Sequence, residues 1–178
     1  MKARSTLPFA LVALTAAGCG GQPAETESAP RTPAAAVDLA AEQQAIKTVL
    51  EKQTRAFFER SSEGEEEVWA HEPYVVRMAD AGEPDVGWDR ISTQYRTFMQ
   101  ENPKPVEDLE FTQENAHVQI HGEGAWVVYE QHLTATLDGE RISDDSREVR
   151  FLARIDRAWK IVYQYSAPLS PEEGSSEE

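Results

Sequence analysis

One stretch decides the fold of this chain: GAWVVYEQHLTATL, residues 124–137. Apolar side chains recur at alternate positions from Ala125 to Leu137, and mostly polar ones lie between them. This period of two predicts a β-strand with one buried face. Short loops with glycine flank it, HGEG at 121–124 and DGE at 138–140. Such loops join antiparallel strands, so the strand lies inside a series of hairpins.

The remaining elements follow from the same patterns. Helical periodicity runs from Asp38 to about Ser61, with Asp38 as N-cap, and again from Asp89 to Gln100. A short helix is expected at 65–70 and a strand at 74–78. After Asp108 we expect strands at roughly 109–121, 124–137, 141–156 and 159–166. Helices followed by antiparallel hairpins predict an α+β fold.

Loop length sets which residues share a face. A two-residue loop at Gly122-Glu123 places Val118 opposite Val127, and both are apolar. A three-residue loop at 138–140 places Phe151 opposite Val127, whereas a two-residue loop would place Arg150 there. We therefore expect the longer loop.

That register defines an inner face and an outer face. The inner set is Val149, Phe151, Ala153, Ile155, Trp159, Ile161, Tyr163 and Tyr165, with Asp145 and Arg147 near its open end. The expected outer set includes His117, His121 and His132.

Four segments carry a family resemblance: VWAHEPYVV at 68–76, VGWDRI at 86–91, GAWV at 124–127 and AWKIVYQYS at 158–166. In their order and spacing, residues 40–168 resemble the SnoaL-like branch of the nuclear-transport-factor-2-like superfamily. The resemblance implies a curved antiparallel sheet wrapped by about three N-terminal helices into a cone with an internal pocket. Relatives include isomerases, dehydratases, epoxide hydrolases and non-enzymatic binding or association modules, so fold does not settle function. Relatives often carry histidines where this chain has Tyr163 and Tyr165.

The N-terminus has the layout of an export signal. Lys2 and Arg4 precede an apolar run at 7–17, and small residues lead to Cys19. This pattern predicts a signal peptide and resembles the lipobox of bacterial lipoproteins; an ordinary signal peptide cut nearby is the alternative. We expect a signal peptide at 1–18, a tether at 19–37 beginning at lipidated Cys19, a domain at 38–168 and a disordered acidic tail at 169–178. The expected location is the cell envelope, on a bacterial membrane, with the periplasmic side of the outer membrane favoured for a Gram-negative host.

The composition of the chain excludes several classes of binding partner and cofactor. The net charge of −15 argues against nucleic-acid binding. Contact with a membrane is expected only through the lipid anchor. Cys19 is the sole cysteine, so no intramolecular disulfide forms. We find no zinc pattern and no phosphate-binding glycine loop, and we expect no metal or cofactor. The acidic run at 63–67 is expected to be a solvated helix start.

The candidate site consists mainly of aromatic residues, because tyrosine and tryptophan suit a cavity for an apolar ligand. The candidate ligand-binding residues are Trp69, Tyr74, Trp88, Tyr95, Tyr129, Arg147, Tyr163 and Tyr165. Asp145 and His71 are weaker catalytic candidates; a solvated strand end is the alternative for Asp145. Simple core packing remains the alternative for the aromatic residues.

Three functions remain open. The first is a lipid-anchored domain that binds a small, mostly apolar molecule or a partner protein without catalysis. The alternative is an isomerase, dehydratase or hydrolase using general acid–base catalysis in the same pocket. The third is a structural association module. The apolar residues of the outer face have two interpretations: they form a homodimer contact, or they are scattered over a solvent-exposed surface.

Overall fold

The computed structural model describes residues 38–79 and 82–169. The expected signal peptide, Cys19, the tether and the acidic tail from Ser170 lie outside the described residues. The described elements are α1 Leu39–Phe58, α2 Ser62–Val68, β1 Val76–Ala79, β2 Asp85–Val86, α3 Trp88–Glu101, β3 Glu107–His121, β4 Gly124–Leu137, β5 Glu140–Ile155 and β6 Ala158–Pro168. In these ranges no helix has the length and apolar character needed to cross a membrane.

The strands form one mixed sheet in the order β2-β1-β6-β5-β4-β3. Neighbouring strands are antiparallel except β1 and β6, which run parallel. The main core is formed where the helices cover the inner face of this sheet; it includes Ile46 of α1, Ile91 of α3, Val127 of β4 and Ile161 of β6. The expected α+β cone is confirmed, and Asp38 caps α1 by accepting hydrogen bonds from the backbone N–H groups of residues 40 and 41.

The first long hairpin has the predicted register, and the second does not. Val118 pairs with Val127 as expected. At the next turn, however, Leu137 pairs with Glu140 and Val127 pairs with Arg150, so the loop has two residues. Asp138 and Gly139 both have positive φ, 53° and 83°. An Asp-Gly pair favours this tight two-residue hairpin turn, and that preference overrides the apolar match.

A one-residue change of register turns every side chain of a strand to its other face. The inner residues of β5 are therefore Ser146, Glu148, Arg150 and Leu152, all buried. The expected inner residues Val149 and Phe151 lie on the outer face instead.

An irregularity in β6 produces a second exchange of faces. Ile161 pairs with Leu152, but Tyr163 pairs with Phe151, so Val162 is an extra residue on one strand. Such a bulge reverses the alternation beyond it. Trp159 and Ile161 are buried as predicted, whereas Gln164 and Ser166 replace the tyrosines on the inner face.

Candidate functional site

A cavity of about 340 Å³ lies between α1, α3 and the inner face of the sheet. We call it the α1–α3 cavity. Its wall combines Phe57, Phe58 and Pro168 with a larger set of polar residues. The polar set is Gln53, Thr54, Arg77, Tyr95, Gln131, Asp144, Ser146, Glu148, Arg150, Gln164 and Ser166.

A buried ion pair lies in the wall of the cavity. Arg150 Nη1 donates to Glu148 Oε2 at 2.6 Å, and both side chains are almost fully buried. Ser146 Oγ donates to Glu148 Oε1 at 2.8 Å, and Ser166 Oγ donates to Oε2 at 2.6 Å. Arg150 Nη2 donates to Gln53 Oε1 at 3.2 Å. The carboxylate is thus held by three donors, which is how proteins accommodate a buried charge.

Two arginine donors have no partner among the described residues. Arg150 Nε and Arg77 Nε are both buried and make no hydrogen bond within residues 38–79 and 82–169. The Arg77 guanidinium lies 4.8 Å from the centre of the Tyr95 ring, and its Nη1 is 3.5 Å from Asp85. Most buried polar groups are paired in native proteins, so these two N–H groups, on residues that line the cavity, are candidate donors to a bound molecule.

Glu65 lies behind this wall rather than on it. Trp69 Nε1 donates to Glu65 Oε2 at 3.1 Å, and Gln53 Nε2 donates to Oε1 at 3.5 Å. Burial raises the pKa of Glu65 to about 7, against the opposing effect of these hydrogen bonds and of the Arg150 and Arg77 charges. Gln53 therefore bridges Glu65 and Arg150.

Sequence reasoning missed Glu65 because it belongs to an acidic run. Its neighbours Glu63, Glu66 and Glu67 are exposed as expected, but Glu65 is buried together with Val68. A signal was present in the i, i+3 and i, i+4 spacing of Glu65 with Val68 and Trp69, which places them on one side of the helical turn.

Of the predicted ligand-binding residues, Tyr95 lies on the wall of the α1–α3 cavity. Its hydroxyl donates to Gln164 Oε1 at 3.4 Å, and burial raises its pKa. Trp69 is buried in the core, and Tyr129 is buried beside a different cavity, described below.

Two further predicted aromatic residues and the predicted histidine lie apart from this cavity. Trp88 is half-buried and stacks on the exposed ring of His71, with centroids 4.6 Å apart. His71 Nε2 is 2.8 Å from the Glu66 carbonyl oxygen. Tyr74 is 58% exposed. The structure therefore does not bring these three side chains to the α1–α3 cavity.

The inward placement of four other candidates is wrong. Asp145 and Arg147 are exposed because of the two-residue turn before β5, and Tyr163 and Tyr165 face outwards because of the bulge in β6. Asp145 Oδ1 lies 2.9 Å from His132 Nδ1. Further pairs on this face include Arg147 with Glu130 at 2.9 Å and the Tyr163 ring against Phe151. The outward placement of His117, His121 and His132 is confirmed.

Comparison with known proteins agrees with the fold. A family model described as a SnoaL-like domain matches residues 46–170. The structure is similar to a nuclear transport factor 2-like superfamily protein of Salmonella enterica, at 18% identity over 79% of this chain and 99% of that one, with a TM-score of 0.62. It is also similar to a candidate dehydratase of the NTF2-like family from Streptomyces avermitilis, at 14% identity over 75% of this chain and 99% of that one, with a TM-score of 0.62. A third similar structure is the association domain of C. elegans CaMKII, at 19% identity over 72% of this chain and 96% of that one, with a TM-score of 0.59. No curated protein matches the sequence.

Proposed function

Because this chain belongs to the SnoaL-like domain family, we propose that its α1–α3 cavity binds a small, mostly apolar molecule carrying one carbonyl-type oxygen, and does not transform it. The two buried arginine Nε–H groups, which have no partner in the part of the chain that the structure describes, carry the proposal. They supply donors to an oxygen, while Phe57, Phe58 and Pro168 supply apolar contact.

The charge around the cavity favours a neutral oxygen over a carboxylate. Arg77 and Arg150 are balanced in the wall by Glu148 and Asp144. The whole chain carries a net charge of −15, which repels anions at long range. A ketone, ester or amide oxygen is neutral, so it accepts hydrogen bonds from the arginines without this electrostatic repulsion.

Two of the carboxylates near the cavity, Glu148 and Glu65, favour binding over catalysis. Glu148 already accepts from Arg150, Ser146 and Ser166, so its oxygens are occupied by protein donors. Glu65 is separated from the cavity by Gln53. A general base must be within hydrogen-bond reach of the proton that it removes.

Cyclohexanone is a suitable probe, with methylenecyclohexane as the matched compound that lacks the oxygen. In NMR titrations we expect cyclohexanone to shift the methyl signals of Thr54 and Ala167, which line the cavity. Arg77→Met should weaken binding at least about fivefold by removing one donor. Arg90→Met is the control because Arg90 also pairs with Asp85, at 2.6 Å, but does not line the cavity. Equal binding of both compounds, or equal loss in both variants, contradicts the proposal.

An acid–base enzyme is the second candidate, and the pKa of about 7 at Glu65 favours it. A group that titrates near neutrality suits proton transfer. Exchange of the α-hydrogens of cyclohexanone in D₂O separates the two functions. Exchange at the buffer rate supports binding alone. Accelerated exchange that is lost in Glu65→Gln or Glu148→Gln supports the enzyme.

We also propose that Cys19 is lipidated and tethers the domain to a bacterial membrane. The support is the sequence pattern of a positive start, a short apolar run and small residues before this cysteine. We expect the wild-type chain in the membrane fraction with a mass that includes lipid, and Cys19→Ser in the soluble fraction. A membrane-bound Cys19→Ser chain would contradict the proposal.

A second copy of the chain is the partner that we propose for the outer face of the sheet. Trp126 and Phe151 are 36% and 45% exposed, and they lie side by side in register, with Tyr163 next to Phe151. A contiguous apolar row of this kind matches itself across a two-fold axis. Sedimentation of the domain at tens of micromolar should show a dimer that Phe151→Glu dissociates; a wild-type monomer would contradict this.

A further inference from the structure

A second cavity, of about 320 Å³, lies between the first half of α1 and strands β3 and β4. We call it the α1–β3 cleft. It shares no lining residue with the α1–α3 cavity. Its volume is within the range of small-molecule sites, about 300–1,000 Å³. Its apolar walls are Ile46, Leu50, Val118 and Val127.

Two polar side-chain atoms in these walls lack a hydrogen-bond partner among the described residues. Tyr129 is 1% exposed, and its hydroxyl makes no hydrogen bond within the described protein. The Gln113 side-chain nitrogen is also buried and unpaired there. Both residues line the cleft. Native proteins pair the great majority of such groups, so two of them on residues that line one cleft point to a ligand.

The chemistry of these two groups specifies what they would bind. The Gln113 amide nitrogen is a donor only, and a phenol hydroxyl donates or accepts. Burial raises the pKa of Tyr129 to about 12, so its hydroxyl keeps its proton at neutral pH. An oxygen with two lone pairs can accept from both donors at once.

We infer that the α1–β3 cleft is a second ligand site, which takes a small apolar molecule whose carbonyl oxygen accepts hydrogen bonds from Tyr129 and Gln113. A neutral molecule suits the cleft because Lys47, the cation among its lining residues, is exposed and already lies 3.7 Å from Glu51. The Arg150 guanidinium, 5.9 Å from the centre of the Tyr129 ring, is likewise paired, with Glu148. This site is independent of the function proposed for the α1–α3 cavity.

Acetophenone is the probe, and methyl-labelled protein distinguishes the two cavities. Isoleucine, leucine and valine methyl groups line the cleft, whereas those of Thr54 and Ala167 line the α1–α3 cavity. We expect saturable shifts at Ile46, Leu50 and Val127 at millimolar acetophenone, as befits a ligand of few atoms. Shifts confined to Thr54 and Ala167, or none up to the solubility limit, would overturn the inference.

Substitutions then test the two donors. Tyr129→Phe and Gln113→Leu should each weaken acetophenone binding in the cleft about fivefold. Tyr95→Phe is the matched control, because it removes a buried hydroxyl from the other cavity and should leave this affinity unchanged. Unchanged affinity in both cleft variants would show an apolar void without carbonyl recognition and would also overturn the inference. If Tyr129→Phe does not fold, Gln113→Leu decides, because Gln113 is only half-buried.

Discussion

Replacement of Glu65 by glutamine should change how stability depends on pH. Glu65 is 1% exposed and is surrounded by Gln53 of α1, Trp69 after α2, and the charges of Arg77 and Arg150. Burial raises its pKa from 4.5 to about 7. Each pKa unit corresponds to about 1.4 kcal/mol, so the buried charge costs about 3 kcal/mol at high pH.

The direction of the pH dependence follows from the number of protons that each state binds. Between pH 4.5 and about 7 the folded protein keeps the Glu65 proton, whereas the unfolded chain has lost it. The folded state therefore binds more protons, and the contribution of Glu65 to the free energy of unfolding falls as pH rises through this window. Above about pH 7 the penalty is complete and constant. Glutamine carries no such proton, so the variant lacks this slope.

Urea unfolding of the wild type and of Glu65→Gln at pH 4.5 and 8.5 measures the effect. The stability of the variant relative to the wild type should increase by about 3 kcal/mol between the two pH values. Glu63→Gln is the control, since Glu63 is exposed in the same helix. A relative stability of Glu65→Gln that stays constant with pH would refute the reasoning, because it would mean that Glu65 has the same pKa in the folded and unfolded states.

Three further substitutions probe the fold and the site through urea unfolding. Arg150→Met should destabilise the domain by about 3–5 kcal/mol because it leaves Glu148 charged and buried, and adding Glu148→Leu should recover most of that loss; no recovery would mean that the ion pair is not the cause. Ile161→Ala, at a fully buried position, should cost about 2–5 kcal/mol, and a cost below 1 kcal/mol would contradict the described core. Arg147→Ala breaks an exposed pair with Glu130, so it should change stability by less than about 1 kcal/mol and leave cyclohexanone affinity unaltered; weakened binding would place Arg147 at the cavity after all.

Much of the architecture could be predicted because the capping residue, the apolar periodicity and the loop residues indicate the same elements. The Asp38 cap, the helical period of α1 and the alternation of β4 all identify elements that the structure contains. The short strand β2 was not predicted, since two residues carry no readable period.

The site could be predicted only in small part, because it depends on one turn and one bulge. Choosing the three-residue loop at Asp138 followed the rule that apolar residues pair with apolar residues. The sheet instead pairs Val127 with Arg150, because Glu148 and Gln53 accept hydrogen bonds from the two terminal nitrogens of the arginine inside the fold. Glu148 lies two residues away in the same strand, but Gln53 and Ser166 lie on other elements. The pattern of one strand therefore does not show the full set of groups that hold this buried ion pair.

The bulge at Val162 was not predicted either, because Trp159, Ile161, Tyr163 and Tyr165 keep the alternate spacing of a regular strand. It exchanges Tyr163 for Gln164 on the inner face and so replaces an aromatic lining by a polar one. The cavity that sequence reasoning expected to be lined by tyrosines therefore carries arginine, glutamate and serine.

A crystal structure of the domain soaked with cyclohexanone tests the central claim most directly. We predict the ketone in the α1–α3 cavity, with its oxygen within about 3.2 Å of the Nε of Arg150 or Arg77. A ketone bound with its oxygen away from both arginines, or a map that places Arg150 on the outer face of the sheet, would contradict it.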